Sequence, residues 1–184
     1  NVAENIAAAS ALIRQAAAQG ADFIATPENT SLMAPDGGAK LAQSFGEAQD
    51  PALPVFRALA RELGKTLLIG SLAIKVSDAK TANRSVLIAP DGAITARYSK
   101  IHLFDVDLAS GETYRESDTV AGGGEAVIAP TEWGGIGLTI CYDVRFPHLY
   151  RALAQKGAFA FTVPSAFTVP TGQAHWEVLL RARA

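Results

Sequence analysis

The chain has 184 residues, 49% hydrophobic and 18% charged, enough for one sizeable core and short for two. With 16 basic and 18 acidic side chains interspersed and a net charge of −2, it carries no electrostatic footprint for nucleic acid or an anionic membrane, so small-molecule chemistry is the expectation. A single cysteine excludes an internal disulfide, and together with the lack of a visible apolar leader it favours a reducing, cytoplasmic setting.

Asn1 followed by Glu4 fits a capping box, and Val2, Ile6, Ala9, Ile13 and Ala16 recur at helical spacing until Gly20. DFIAT then reads as a short buried strand that Pro27 ends, leaving Glu28 just past it. PVFRALARELG is a second helix, and TLLIGSLAI a strand too apolar for exposure on either face. ANRSVLIAPDGAITARYSK predicts two strands around the turn Pro90-Asp91-Gly92, with Lys100 at the exit. From Leu103 to Gly124 the chain is polar and irregular, longer than an ordinary connection and therefore a candidate functional loop. AVIAP and GIGLTIC are strands, FPHLYRALAQKGA a helix, FAFTVPS a strand and AHWEVLLRARA a helix. Strands of this kind mixed with helices indicate an α/β layered fold, and the hairpin makes its sheet mixed.

Ligands of such folds bind beyond the carboxyl ends of strands, and Glu28, Lys100 and Cys141 each follow one. Cys141 closes an apolar run immediately before the polar turn Tyr142, Asp143 and Arg145. A nucleophilic thiol needs a base or a positive neighbour. Glu28 supplies the base if burial in an apolar site makes its carboxylate basic enough, and Lys100 the cation. The Tyr142 N–H, at the start of the turn, is placed like an oxyanion donor at a nucleophile elbow. Singly, each has a plainer reading: core filler for Cys141, a cap for Glu28, a solvated strand end for Lys100. Their shared address outweighs those readings. His102, His148 and His175 are rival bases, two of them in predicted helices; His102 serves equally well as a hydrogen-bonded anchor for the long loop. One cysteine and three scattered histidines lack metal-ligand spacing, and AGGGEAV lacks the context of a dinucleotide fingerprint. Asp105, Asp107, Glu112 and Glu116 read as a solvated acidic face.

Five ordered blocks, FIATPENTSL, RYSKIHLFDVD, YRESDT, GLTICYDVRFP and PSAFTVPTGQAHWEVLLRARA, resemble the nitrilase superfamily of carbon–nitrogen hydrolases, in its amidase branch. The resemblance implies an αββα four-layer sandwich with mixed sheets and a catalytic set of Glu28, Lys100 and Cys141. It also implies that Glu116 leaves the solvated face to orient Lys100 and hold the substrate amide. No metal or organic cofactor is implied. The implied reaction is hydrolysis of a linear carboxamide through a cysteine thioester, with deaminated glutathione or 2-oxoglutaramate as substrate and N-carbamoyl amino acids as a further alternative. A homodimer is implied as well. Candidate substrate-binding residues are Tyr142, Arg145, Ser165 and Phe167; Arg145 either binds a substrate carboxylate or pairs with Asp143 to fix the turn. The family domain is longer than this chain, so residues 1–184 are expected to form one hydrolase domain lacking a first strand and a C-terminal portion, with a sheet edge left open. The alternative of another class is a binding or assembly homologue that keeps the fold without the reaction.

Overall fold

A computed structural model describes residues 1–107 and 111–184. The middle of the expected long loop, residues 108–110, therefore lies outside the described residues.

Helix α1 (Val2–Ala18) begins where the Asn1 side chain accepts from the Glu4 N–H at 3.0 Å, and it buries Ile6 and Ile13. Strand β1 (Phe23–Ala25) follows, and then helix α2 (Gly37–Ala42), capped by the Asp36 carboxylate and absent from the sequence reading. Helix α3 (Ala52–Leu63) starts two residues before the expected segment because Asp50 Oδ1 accepts from the N–H groups of Ala52 and Leu53. It ends at Gly64, whose left-handed φ of 63° suits a residue without Cβ.

Strands β2 (Thr66–Lys75), β3 (Thr81–Ile88) and β4 (Ile94–Ser99) complete a four-stranded sheet in the order β1-β2-β3-β4, with β1 parallel to β2 and the other pairs antiparallel. The segment expected to be irregular holds a small antiparallel pair, β5 (Asp105–Asp107) and β6 (Thr113–Arg115), and a 3-10 helix over Glu116–Asp118. A second mixed sheet pairs β7 (Ile128–Thr131) with β8 (Gly134–Leu138) antiparallel and β8 with β9 (Ala158–Thr162) parallel. A 3-10 helix over Cys141–Arg145 and α4 (Pro147–Gln155) lie between β8 and β9, and α5 (Val169–Arg183) follows.

The alternation of β2 explains the layering. Leu67 and Ile69 point to one face, where Ile6 and Ile13 of α1 and Phe56 and Leu59 of α3 cover them. Leu68 points to the other, where with Leu87 and Tyr98 it meets Ala129, Ile136, Leu138 and Ile140 from the second sheet. Leu149, Tyr150 and Leu153 of α4, with half-buried Leu179 and Leu180 of α5, pack on the second sheet's outer face beside Ile128 and Phe161. The order is helix, sheet, sheet, helix: a four-layer αββα sandwich. Each buried Leu, Ile or Phe contributes about 1.5–3 kcal/mol. The carboxyl ends of β1, β4 and β8 open on the same hollow. Among the described residues no helix is long and apolar enough to cross a membrane.

Candidate active site

Glu28 is reached through Pro27 at the end of β1, and its segment is pinned to β2 by Asn29 N–H to Ser71 Oγ at 2.8 Å and Thr30 N–H to the Ser71 carbonyl at 2.9 Å. Lys100 continues the β4 ladder by one residue, its N–H donating to the Asn83 carbonyl at 2.9 Å, so its side chain is aimed by a sheet and not by a loop. Cys141 has a φ of 48°, uncommon for a residue with a Cβ. Its flanks hold it there: Cys141 N–H donates to the Pro164 carbonyl at 2.9 Å, Ile140 N–H to Asp143 Oδ2 at 2.9 Å, and Asp143 N–H to the Ile140 carbonyl at 3.0 Å.

The three side chains are buried at 6%, 2% and 9% exposure for Glu28, Lys100 and Cys141, and all three line one pocket of 520 Å³. Lys100 Nζ lies 3.3 Å from Glu28 Oε1 and 2.9 Å from Glu116 Oε2. Glu116 is thus drawn into the cluster, and Phe104 N–H also donates to its Oε2 at 2.7 Å. Glu28 is buried as expected, but not in hydrocarbon. Its oxygens accept from Lys100, from Asn83 Nδ2 at 2.8 Å and from the Ala166 N–H at 2.8 Å.

The electrostatics separate the thiol from the amine. Burial, then the adjacent Glu28 charge, push the Cys141 thiol up to about 12, against the opposing pull of Lys100 and the Ala166 N–H. For Lys100 burial disfavours the charge, but Glu28 and Glu116 together outweigh it and keep the ammonium more firmly protonated than usual. The resting site therefore holds a neutral thiol beside a fixed cation.

Tyr142, Arg145 and Phe167 line the same pocket. The Arg145 guanidinium lies over the rings of Tyr142, at 5.8 Å, and Phe167, at 5.7 Å. It does not pair with Asp143. That carboxylate is fully buried and already accepts from Tyr98 Oη at 2.6 Å, Ile140 N–H, His102 N–H at 3.0 Å and the His102 ring at 2.7 Å. His102 is accordingly an anchor, stacked on Phe146 with centroids 3.7 Å apart, while His148 and His175 are exposed on helices. The Tyr142 N–H lies in the first turn of the 3-10 helix over Cys141–Arg145, where helix geometry supplies backbone donors with no partner inside the helix. Ser165 is not in the pocket lining; its hydroxyl donates to the Val163 carbonyl at 3.0 Å, and it is the next residue's N–H that reaches Glu28. Asp105 and Asp107 remain exposed, accepting from Ser117 and Arg115.

Two contributors, Asn83 and Lys40, escaped the sequence reading, as did the partners of Asp143. Asn83 touches both glutamates, Asp143 ties the nucleophile turn to β4, and Lys40 of α2 lines the pocket. Burial holds the Lys40 amine below its ordinary range despite the attraction of Glu116 and Glu28. Asn83 left no distinct signal in the sequence, because it shares its face of β3 with Thr81 and Ser85 as well as Leu87. Among the described residues no group of three or more His, Cys, Asp or Glu could hold a metal ion. The space between the two carboxylates, where a cation would sit, is taken by Lys100.

A profile of the family described as carbon-nitrogen hydrolase matches residues 1–184. The chain is 42% identical to deaminated glutathione amidase of Synechocystis sp., over all of this chain and 68% of that protein. It is 36% identical to human omega-amidase NIT2, over 98% of this chain and 64% of that one. Among solved structures, the Caenorhabditis elegans NitFhit protein superposes with a TM-score of 0.90 at 34% identity, covering all of this chain and 45% of that one. The chain thus spans about two thirds of the length of these curated relatives.

Proposed function

The chain belongs to the carbon–nitrogen hydrolase family, and from that premise we propose that the whole protein hydrolyses a linear carboxamide to a carboxylic acid and ammonia through a thioester on Cys141. The observation that carries the reading is the convergence of a thiol, an ammonium and two carboxylates on one pocket. In the proposed reaction the thiol enters protonated, since burial and Glu28 hold its proton on, and Glu28 takes that proton as sulfur attacks the amide carbonyl. The oxyanion forms against the Lys100 ammonium and the Tyr142 N–H; each such donor contributes about two to four kcal/mol to the barrier reduction. Glu28 returns the proton to the leaving nitrogen, ammonia departs, and the same carboxylate activates the water that opens the thioester. Glu116 keeps Lys100 aligned and accepts from the substrate amide N–H.

The proposed substrate is a 2-oxo acid amide, deaminated glutathione ahead of 2-oxoglutaramate, in line with the names of the relatives at 42% and 36% identity. Arg145, braced by two rings at the pocket wall, suits a substrate carboxylate. A reducing, cytoplasmic compartment suits a catalyst that depends on one free thiol, and a homodimer is proposed on the family resemblance alone. The test is ammonia release from both amides by the whole protein and its Cys141→Ala variant. Activity falling by roughly a thousandfold or more is the expected result; undiminished turnover contradicts the mechanism, and no turnover of either amide by the unsubstituted protein favours the binding homologue.

A further inference from the structure

Asn83 is 5% exposed in the middle of β3, and its carboxamide faces the two glutamates. Nδ2 lies 2.8 Å from Glu28 Oε1 and 3.4 Å from Glu116 Oε1. An amide nitrogen has two N–H bonds, so one serves each carboxylate. Lys100 Nζ makes the matching pair of contacts, at 3.3 Å to Glu28 and 2.9 Å to Glu116. Four side chains from four separate segments therefore close a ring in which every contact joins a donor to a carboxylate. The chemistry fixes which way the amide is turned, because the reverse would set Oδ1 against two anions.

The other end of the amide is as informative. Asn83 Oδ1 is buried with no hydrogen-bond partner among the described residues. An orphaned buried acceptor costs about 1–3 kcal/mol, so a residue present for packing alone would be better served by an apolar side chain. We propose that Asn83 is a positioning residue, holding Glu28 and Glu116 at fixed orientations around Lys100 so that Glu28 faces the Cys141 thiol; this rests on the amide-hydrolysis reading above. Without it, two like charges share one ammonium, and the cation is free to move toward either. The Ala166 N–H fixes the second oxygen of Glu28, so Asn83 governs the remaining rotation of that carboxylate.

The experiment compares Asn83→Ala and Asn83→Asp with the unsubstituted whole protein in amide turnover, in Cys141 alkylation by iodoacetamide and in thermal unfolding. Asn83→Asp is nearly isosteric but sets a third carboxylate against the other two. It should lower kcat by about a hundredfold or more, with KM within about threefold, and be worse than Asn83→Ala. Its deficit should shrink as pH is lowered, because a protonated Asp regains one donor. A packing role predicts the opposite order, with the isosteric change milder and indifferent to pH, and that result overturns the proposal. If Asn83→Asp does not fold, Asn83→Ala decides alone: kcat down about tenfold or more at unchanged KM supports positioning, and kcat within twofold overturns it. Alkylation separates the two levels of the argument. An unsubstituted protein that turns over no amide, while Asn83→Asp still slows alkylation several-fold, removes the reaction and leaves the ring; normal turnover with both variants unaltered removes the ring alone.

Discussion

Cys141 combines a strained backbone with an unreactive resting state. Its φ of 48° turns the side chain out of the β8 line into the pocket, and the bonds to Pro164 and Asp143 on either side hold it there. Yet burial and the Glu28 charge keep its proton on, with a pKa pushed up to about 12. Below that value the thiolate fraction grows tenfold for each pH unit. Alkylation of Cys141 by iodoacetamide should therefore climb steadily from pH 7 to 10, whereas a preformed thiolate would give a plateau below pH 8. Amide turnover should not follow the same climb, because in the proposed reaction Glu28 removes the proton during attack. Glu28, Lys100 and Cys141 could be singled out because each follows a strand whose pattern is itself legible, and the structure brings all three to one pocket. Asn83 was not legible, since it is one of several polar residues on β3, beside Thr81, Arg84 and Ser85, and declares its role only when the register across β2, β3 and β4 brings it opposite the ends of two other segments. Of the two roles left open for Arg145, the structure excludes pairing with Asp143, and the sequence could not decide because two of the partners of Asp143, Tyr98 and His102, lie 45 and 41 residues away.

At the scale of elements, β2 carries a close backbone approach. Its register against β3 shifts between Ile69 and Leu72, and in that irregular stretch Gly70 N–H donates to Thr26 Oγ1 at 2.9 Å. A Cβ on Gly70 would stand 2.0 Å from the Thr26 carbonyl oxygen and 2.5 Å from that of Pro27, the backbone that delivers Glu28. Gly64 offers the contrast, with left-handed φ but open space around its would-be Cβ. Gly64→Ala should cost about 1 kcal/mol by strain alone. Gly70→Ala should cost about 3 kcal/mol or more, lower the unfolding midpoint by roughly 6–12 °C and reduce activity, because backbone must move where Glu28, the proposed base, is held. Equal effects in a thermal melt and an amidase assay would argue against this account of β2. Strand and helix types were legible from periodicity, but α2 and the β5–β6 pair were not. They are six and three residues long, bury no stripe a periodic reading detects, and owe their form to the Asp36 cap and to cross-strand pairs such as Asp107 with Arg115.

At the scale of the molecule, the sandwich supplies what the residues cannot supply singly. Glu28 and Lys100 come from the first sheet, Cys141 from the second, and the Tyr98–Asp143 bond crosses between them next to the inter-sheet core of Leu68, Leu138 and Ile140. That β2 would be covered on both faces was legible from its apolar run, whereas the four-layer order was expected from the resemblance, and the closeness of the three strand ends from the resemblance and the general habit of α/β sheets, not from any local pattern. The claim that unites these scales is covalent chemistry at one sulfur. Its most direct test is mass spectrometry of the whole protein quenched while it turns over a 2-oxo acid amide. The account predicts an adduct equal to the substrate less ammonia on the Cys141 peptide, absent from Cys141→Ala. Sustained ammonia release with no adduct on that peptide at any quench time, and turnover surviving the substitution, would contradict it.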